Sequence, residues 1–371
     1  MTSTSRIAAA AFAASLLALA GCGSTSPESD GAKAVAVKLT DAGCDPAKLS
    51  LPAGPATFEV ANDGADAVSE FEILDGGRIV GEVENLAPGL SGRFSLTLRP
   101  GSYVTYCPGG KSVEHGVLEV AGGAVAGTSA AAARAVARYR SYVEQQTALL
   151  VTRTKAFDAA LQADDLARAK ALYAGARAPY ERIEPVAESF GGLDPAIDAR
   201  AGDVPAASWT GFHPIEKRLW AGNTTEGTQA LGNKLVRDVL RLQTKVKALQ
   251  LEPAQIANGA VELLDEVSKS KITGEEERYS HIDLVDFEAN VDGARVAFES
   301  VKPILAGRNA ALAAAVAQRF AGVDTALARY RRGDGYVTYG ALTTADTRLL
   351  SRVIDALAEP LSRVGAHVVA A

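Results

Sequence analysis

The chain has 371 residues, of which 47% are hydrophobic and 22% charged, and its formal net charge is −6. This length exceeds that of most single domains, so two or three domains are expected, and the hydrophobic content is sufficient for buried cores. Fibrous and disordered classes are therefore excluded. The mild acidity and the lack of a basic patch argue against nucleic acid as a partner and suit cations instead.

Residues 1–21 have the pattern of a lipoprotein signal peptide. One early cation, Arg6, precedes an apolar run from Ile7 to Ala20 that is too short to cross a membrane. The run leads into Leu19–Cys22, which resembles the lipobox of bacterial lipoproteins, where the peptide is cut before the cysteine. Cys22 is therefore predicted to carry a lipid, and the protein to be exported and anchored to the cell membrane, facing the periplasm or the outer surface. A buried N-terminal helix is the alternative.

Residues 22–33 are predicted to be a flexible tether, and residues 34–121 a small β-sandwich. Turn sequences such as Asp75-Gly76 and Pro100-Gly101 separate short runs of β-forming residues. The run Arg93–Leu98 alternates polar and apolar residues, which predicts one buried and one exposed sheet face. The predicted strands are Val35–Leu39, Ala56–Val60, Glu70–Leu74, Arg93–Leu98, Tyr103–Tyr106 and Gly116–Val120.

A glycine-containing linker at residues 122–128 precedes a change of pattern, and residues 129–371 are predicted to form a helical bundle. Apolar residues recur at three-and-four spacing from Ser129 to Ala163, which is typical of a long amphipathic helix. Further helices are predicted near residues 165–190, 213–221, 228–249, 253–270, 283–304, 308–332 and 342–369. The predicted fold class is α+β multidomain.

The cysteine count predicts one disulfide. The chain has three cysteines, Cys22, Cys44 and Cys107. Once Cys22 is lipidated, Cys44 and Cys107 remain as a pair in an oxidising compartment, where a disulfide is the expected state.

The segment from Trp209 to Trp220 is the strongest candidate for a functional site. Pro214 suits the first turn of a helix, so His213 is expected at the helix entrance and Glu216 one turn further along. This spacing places imidazole and carboxylate on one face, within reach of one metal ion. A helix N-terminus disfavours imidazolium, so His213 is expected to be neutral. The alternative is that Glu216 caps the helix and His213 only packs there.

Two other acidic segments are candidates for the same site. Glu181, Glu184 and Glu188 follow helical spacing and make one acidic stripe, which is more often a solvated face. Asp283 and Asp286 share a helix face, although helix capping would explain half of the acids around them.

Three motifs in the helical region together resemble the imelysin family. They are Gly211–Glu216, Tyr180–Glu188 and Ile272–Ala294. Within the sandwich, the segments Cys44–Pro46, Glu70–Leu74 and Asn85–Gly89 resemble the cupredoxin-like domain that iron-uptake members of this family carry. The resemblance covers nearly the whole chain after the signal peptide.

The resemblance implies an exported iron-binding component that serves an iron permease of the EfeU type together with a haem peroxidase of the EfeB type. It also implies that His213 and Glu216 are the core of a metal site. The physical chemistry agrees, because imidazole with several carboxylates accepts Fe(II), Fe(III) or Zn(II). Glu184 and Glu181 are the next candidates, followed by Asp283 and Asp286, which would bind the metal or support its ligands.

The sandwich departs from an electron-transfer cupredoxin. A blue-copper site needs two histidines and a cysteine thiolate, whereas this region has only His115 and its cysteines are expected to be bridged. Copper is therefore disfavoured. A carboxylate site from Glu70, Glu72 and Glu84 is the remaining candidate, although alternating acids on a strand are more often its solvent-exposed face.

Three other functions compete with iron binding. A zinc metallopeptidase is the main rival, because imelysin-like proteins have been classed with peptidases, but Glu216 is followed by Lys217 and no second histidine lies near His213. A ferroxidase would need copper ligands in the sandwich. A structural or adhesive surface lipoprotein would make the three helical motifs coincidental.

Overall fold

The structure is a computed structural model that describes Met1 and residues 33–123, 129–269, 271–333 and 335–369. The predicted signal peptide, the predicted lipid attachment at Cys22 and nearly all of the predicted tether lie outside the described residues, as do residues 124–128 of the predicted linker. Within the described residues, no helix combines the length and the apolar character that a membrane crossing requires.

The first part of the chain folds as a β-sandwich. Its strands are β1 (Lys33–Thr40), β2 (Gly43–Asp45), β3 (Lys48–Pro52), β4 (Gly54–Asn62), β5 (Phe71–Asp75), β6 (Arg78–Val83), β7 (Ser91–Leu98), β8 (Gly101–Tyr106) and β9 (His115–Ala121). Among the described residues, one sheet has the order β2-β1-β4-β7 and the other β3-β9-β8-β5-β6. The rings of Phe58 and Phe94 stack at 5.1 Å, and Phe71 packs against both between the sheets.

The predicted disulfide between Cys44 and Cys107 is confirmed. Cys44 lies on β2 in the first sheet, and Cys107 directly follows β8 in the second. The bridge therefore covalently joins the two sheets, and both of its cysteines are buried.

The second part of the chain is helical, so the predicted fold class is confirmed. Its helices are α1 (Ala130–Gln162), α2 (Leu166–Glu181), α3 (Glu184–Glu188), α4 (Asp194–Asp198), α5 (Phe212–Trp220), α6 (Gln229–Ala248), α7 (Pro253–Lys269), α8 (Asp283–Arg308), α9 (Ala310–Leu327), α10 (Thr344–Leu361) and α11 (Val364–Val368). A 3-10 turn, Lys271–Thr273, lies between α7 and α8.

Two helices predicted as continuous are broken. The predicted helix 165–190 divides into α2 and α3, because Pro185 has no N–H to donate to the carbonyl of Glu181 and its ring would clash with that carbonyl in a continuous helix. The predicted helix 342–369 divides into α10 and α11, just after Pro360. The first break reorients Glu184 and Glu188 relative to Glu181.

The sandwich packs on the helical part through β7 and α7. Ser95 and Asn258 form a reciprocal pair, in which Ser95 N–H donates to Asn258 Oδ1 at 3.2 Å and Asn258 Nδ2 donates to the Ser95 carbonyl at 2.9 Å. The Thr97 hydroxyl also donates to the carbonyl of Val369 at 2.9 Å. These contacts fix the sandwich on the helical domain and leave a cleft beside them.

Candidate metal centre

Gly211 sets the start of the helix that carries the predicted metal ligands. Its φ is +95°, and a Cβ there would collide with the carbonyl oxygen of Ile197, so only glycine fits. Helix α5 then begins at Phe212 and places His213 and Glu216 on one buried face. His213 Nδ1 lies 3.4 Å from Glu216 Oε2.

Glu216 connects α5 to the loop that precedes α8. Its Oε1 atom accepts hydrogen bonds from the backbone N–H groups of Tyr279 at 2.8 Å and Ser280 at 2.7 Å. Burial alone would raise the pKa of Glu216, but His213 and the two N–H groups lower it below its usual value. Glu216 is therefore ionised and fixed, with its other oxygen facing the imidazole.

The second ring nitrogen of His213 faces two carboxylates that the sequence analysis did not single out. Nε2 lies 3.4 Å from Glu276 Oε1 and 3.7 Å from Asp198 Oδ1, without a well-aligned hydrogen bond. One oxygen of each carboxylate and a ring nitrogen fit within 4.8 Å of one another. A buried nitrogen between two acidic oxygens is a suitable position for a metal ion.

His213 is not neutral in the metal-free protein, contrary to the sequence-based expectation. Burial and Arg177 lower its pKa, but the nearby carboxylates of Glu216, Glu276 and Asp198 raise it to about 9 overall. The nearby carboxylates therefore outweigh the helix N-terminus. A metal ion at Nε2 must displace this proton.

Arg177 on α2 holds the acidic cluster together, and its side chain is fully buried. It forms ion pairs with Asp198, Glu276, Glu181, Glu277 and Asp286; those to Glu181, Glu277 and Asp286 measure 2.7, 2.9 and 3.3 Å. These five acids come from four segments of the chain: α2 itself, α4, the loop before α8, and α8. The guanidinium group therefore acts as a fixed internal counterion.

Glu181 and Glu184 face a second internal cation rather than His213. The Nζ atom of Lys271 is fully buried and lies 2.6 Å from Glu181 Oε2 and 2.7 Å from Glu184 Oε2. Glu184 also accepts a 3.1 Å hydrogen bond from Asn290. Glu181 and Glu184 are thus buried and paired rather than part of a solvated face, whereas Glu188 is partly buried.

Asp283 and Asp286 lie in the same cluster but are engaged by protein groups. Asp283 Oδ1 accepts a 3.0 Å hydrogen bond from the backbone N–H of Glu277, and Asp286 Oδ2 faces Arg177. Each has a second oxygen without a hydrogen-bond partner in the described structure. Asp283 therefore positions Glu277, and Asp286 positions Arg177.

The cluster contains more carboxyl groups than cationic side chains. Eight buried carboxyl groups surround two permanent cations, Arg177 and Lys271; the acids are Glu181, Glu184, Asp198, Glu216, Glu276, Glu277, Asp283 and Asp286. Burial raises the pKa of Asp198 to about 7 and raises that of Glu277 well above its usual value, whereas Lys271 and Arg177 outweigh burial and lower the pKa of Glu276. Such a site favours an added cation of two or three charges.

The sandwich contributes a second acidic group. Oxygens of Glu70, Glu82 and Glu84 lie within 4.8 Å of one another. Glu82 was not predicted; it lies on β6 directly opposite Glu72 in the register of β5 and β6. Burial raises the pKa of Glu70 to about 8. Glu72 itself is also buried, so these acids do not form the exposed face of a sheet.

The sandwich acids open onto a cleft of about 460 Å³ shared with the helical domain. From the helical side, Glu184, Asp198 and Glu276 reach the same cleft. The two acidic groups are therefore connected by one solvent-accessible space.

The sandwich residues do not form a blue-copper site. His115 is exposed and stacks on Tyr106 at 4.5 Å, and the disulfide leaves neither Cys44 nor Cys107 as a thiolate for copper.

Comparison with known proteins agrees with this architecture. The imelysin family matches residues 135–364, and the cupredoxin-like domain family matches residues 9–120. Relatives described as iron uptake system component EfeO, from Escherichia coli O157:H7, Escherichia coli strain K12 and Shigella flexneri, are each 42% identical over 339 residues. These alignments cover 89% of this chain and 90% of each relative.

A solved purple cupredoxin from Nitrosopumilus maritimus aligns with 24% of this chain and 99% of its own at 21% identity, but a TM-score of 0.19 is too low to support any inference. The family matches and the close relatives confirm the resemblance seen in the three helical motifs and in the sandwich. The chain therefore belongs to the imelysin family, as a member of the EfeO type in which a cupredoxin-like domain precedes the helical domain.

Proposed function

We propose that the protein is the extracytoplasmic iron-binding component of an iron uptake system, which captures iron at the His213 centre and delivers it to a membrane permease. The observation that carries the proposal is the position of His213 Nε2, buried between Asp198 and Glu276 without a well-aligned hydrogen bond. The relatives named as iron uptake components support iron as the metal.

His213, Asp198 and Glu276 are the proposed ligands at Nε2, and Glu216 orients the ring from the opposite nitrogen. A carboxylate that accepts a hydrogen bond from the distal N–H of a metal-bound histidine fixes the ring and increases its basicity. Glu277 lies beside Glu216 and His213 and is the next ligand candidate. Glu181, Glu184, Asp283 and Asp286 support the centre through Lys271, Asn290, Arg177 and the backbone of Glu277.

The proposed partners are an iron permease and a haem peroxidase, and Cys22 is the proposed site of the lipid anchor. An anchored carrier would stay close to the permease, which raises the local concentration of iron where it is transported. Neither peptidase nor ferroxidase activity is part of this proposal. Within the described residues, His213 is the one imidazole that lies in the centre. Arg177 neutralises part of the negative charge of the carboxylates Asp198 and Glu276.

Calorimetric titration tests this function directly. The purified protein is titrated with Fe(III)-citrate, with Fe(II) under anaerobic conditions, with Zn(II) and with Cu(II), beside the variants His213→Ala and His115→Ala. The latter is the control, because His115 is exposed on the sandwich. Iron binding that His213→Ala loses and His115→Ala keeps would support the proposal. If Zn(II) binds and neither form of iron does, the proposal is wrong and peptide substrates should be screened.

A further inference from the structure

A third acidic group lies in the helical domain, on the side that faces the sandwich. Oxygens of Glu184, Glu188 and Glu266 lie within 4.8 Å of one another. Glu188 ends α3 and Glu266 lies on α7, and both line clefts that sandwich residues also line. Lys271 Nζ is 2.7 Å from Glu184 and 3.4 Å from Glu266, so this cation pairs with both of these acids.

Acids from both domains form a common wall between two cavities. Glu82 and Glu84 of the sandwich and Glu188 and Glu266 of the helical domain line both the cleft of about 460 Å³ and a neighbouring cleft of about 560 Å³. Glu84 interacts electrostatically with both Glu188 and Glu266. Glu84 therefore lies near acids of the helical domain across the junction of the domains, and Glu82 lies beside Glu84.

Glu82 provides independent evidence that something binds at this wall. Its side chain is 5% exposed, and its Oε2 atom has no hydrogen-bond partner in the described structure. A buried carboxylate oxygen without a partner costs free energy that a bound cation would recover. Glu82 lines both cavities, so an ion that enters either one comes close to its side chain.

We infer that Glu82, Glu84, Glu188 and Glu266 form a metal site shared by the two domains, which binds a hard, highly charged cation. Four carboxylates without nitrogen or sulfur ligands favour hard ions that coordinate through oxygen. The site is distinct from the His213 centre, because Lys271 lies between Glu266 and the acids around Arg177. Two ligands come from each domain, so a bound ion also ties the sandwich to the helices.

The role of this site rests on the proposed function. It gives iron a binding position between the sandwich acids and the His213 centre, in the cleft that connects them. The existence of the site can be tested without iron, because Tb(III) is a hard trivalent ion that binds oxygen ligands.

The test counts Tb(III) ions bound per chain by equilibrium dialysis of the purified protein. The variants are Glu82→Gln, Glu188→Gln, the combination of both, and Glu119→Gln as a control on an exposed strand position. Glu82→Gln and Glu188→Gln are each expected to weaken the affinity for one Tb(III) ion at least tenfold. The combined variant is expected to lose that same ion and no other, because both residues bind it. Glu119→Gln should bind Tb(III) like the unmodified protein.

Loss of one ion in each single variant and of two in the combination would overturn the proposal, because it would place Glu82 and Glu188 in separate sites. Unchanged binding in Glu188→Gln would also overturn it. Circular dichroism in the presence of a chelator checks that each variant folds. Glu84→Gln and Glu266→Gln provide a second pair of ligand variants, one from each domain. His213→Ala should remove a different ion. Failure of the shared site is thus distinguishable from failure of the iron-binding proposal.

Discussion

Glu216 accepts a 2.7 Å hydrogen bond from the backbone N–H of Ser280, so the carboxylate that faces His213 also anchors the loop that carries Glu276. Glu216 and Ser280 are far apart in the sequence, yet the Glu216 side chain links helix α5 to the loop that precedes α8. The geometry around the imidazole therefore depends on Glu216 in two ways. It orients the ring, and it holds the segment that supplies a proposed ligand.

Replacing Glu216 should separate these two roles. Glu216→Ala removes both backbone hydrogen bonds and is expected to lower the free energy of unfolding by about 2 kcal/mol, the usual range for hydrogen bonds to a charged group. Glu216→Gln keeps an acceptor for the loop and should cost less stability, while it still weakens metal binding through the lost charge. Urea denaturation and calorimetry measure the two effects. Equal metal affinity in both variants and the unmodified protein would remove Glu216 from the centre.

Metal affinity should increase with pH. The pKa of His213 is raised to about 9 and that of Asp198 to about 7 in the metal-free protein, so protons occupy both proposed ligands below pH 7. A metal must displace them, and affinity is expected to rise about tenfold per pH unit for each proton released. Titration with Zn(II) between pH 6 and 8.5, in buffers of different ionisation enthalpy, counts the protons. His213→Ala should release one proton fewer.

The metal-free protein should become less stable as the pH rises above neutrality. The pKa values of Glu70 and Glu262 are raised to about 8, above that of a glutamate in the unfolded chain. Their folded forms bind protons more tightly, so the stability they contribute is complete below the unfolded pKa and is lost as the pH rises through about 8. The melting temperature in chelator should therefore fall between pH 6 and 8.5. Glu70→Gln should flatten this dependence, whereas a steeper fall in the variant would contradict the assignment.

Breaking the disulfide should destabilise the sandwich without removing the helical centre. Cys44 and Cys107 are 63 residues apart, and closing a loop of that length stabilises by about 4 kcal/mol in the chain-entropy model. Cys44→Ser with Cys107→Ser is expected to lower the stability of the sandwich accordingly, as measured by chemical denaturation. Iron binding that depends on His213 should persist under conditions where the helical domain remains folded. Loss of iron binding under these conditions would show that the centre needs an intact sandwich.

Gly211 should be intolerant of any side chain. Gly211→Ala adds a Cβ against the carbonyl of Ile197 at a positive φ, so the start of α5 must shift, at a cost above about 1 kcal/mol. His213 moves with it, and metal affinity should fall. Gly192→Ala is the matched control, because nothing lies near its Cβ position. Equal melting temperatures for the two variants would contradict this account of the helix entrance.

The sequence was sufficient for the fold and for the position of His213. Alternating residues predicted the strands and three-and-four spacing predicted the helices, because these patterns reflect local geometry. The motifs around Glu216 and Asp286 identified the family. Glu276 belonged to one of these motifs, but capping explained it equally well, so it was not singled out as a ligand candidate.

The remaining residues of the cluster could not be predicted, because their environment is created by distant parts of the chain. Arg and Lys side chains are normally exposed, and only the assembled carboxylates make it favourable to bury Arg177 and Lys271. Asp198 ends a five-residue helix and has no characteristic pattern. To predict that Glu82 joins the acidic group of the sandwich, one would have to know the hairpin register that places it opposite Glu72.

Arg177 has a consequence for how quickly the proposed centre could exchange a metal ion. A guanidinium group stays protonated at every physiological pH and is tethered to α2, so it would neither dissociate nor be neutralised when a metal ion leaves the proposed centre. The acids that it pairs therefore keep their places between one load and the next, and little reorganisation precedes each encounter with a new ion. Such a framework suits rapid hand-over of a metal better than its long-term storage.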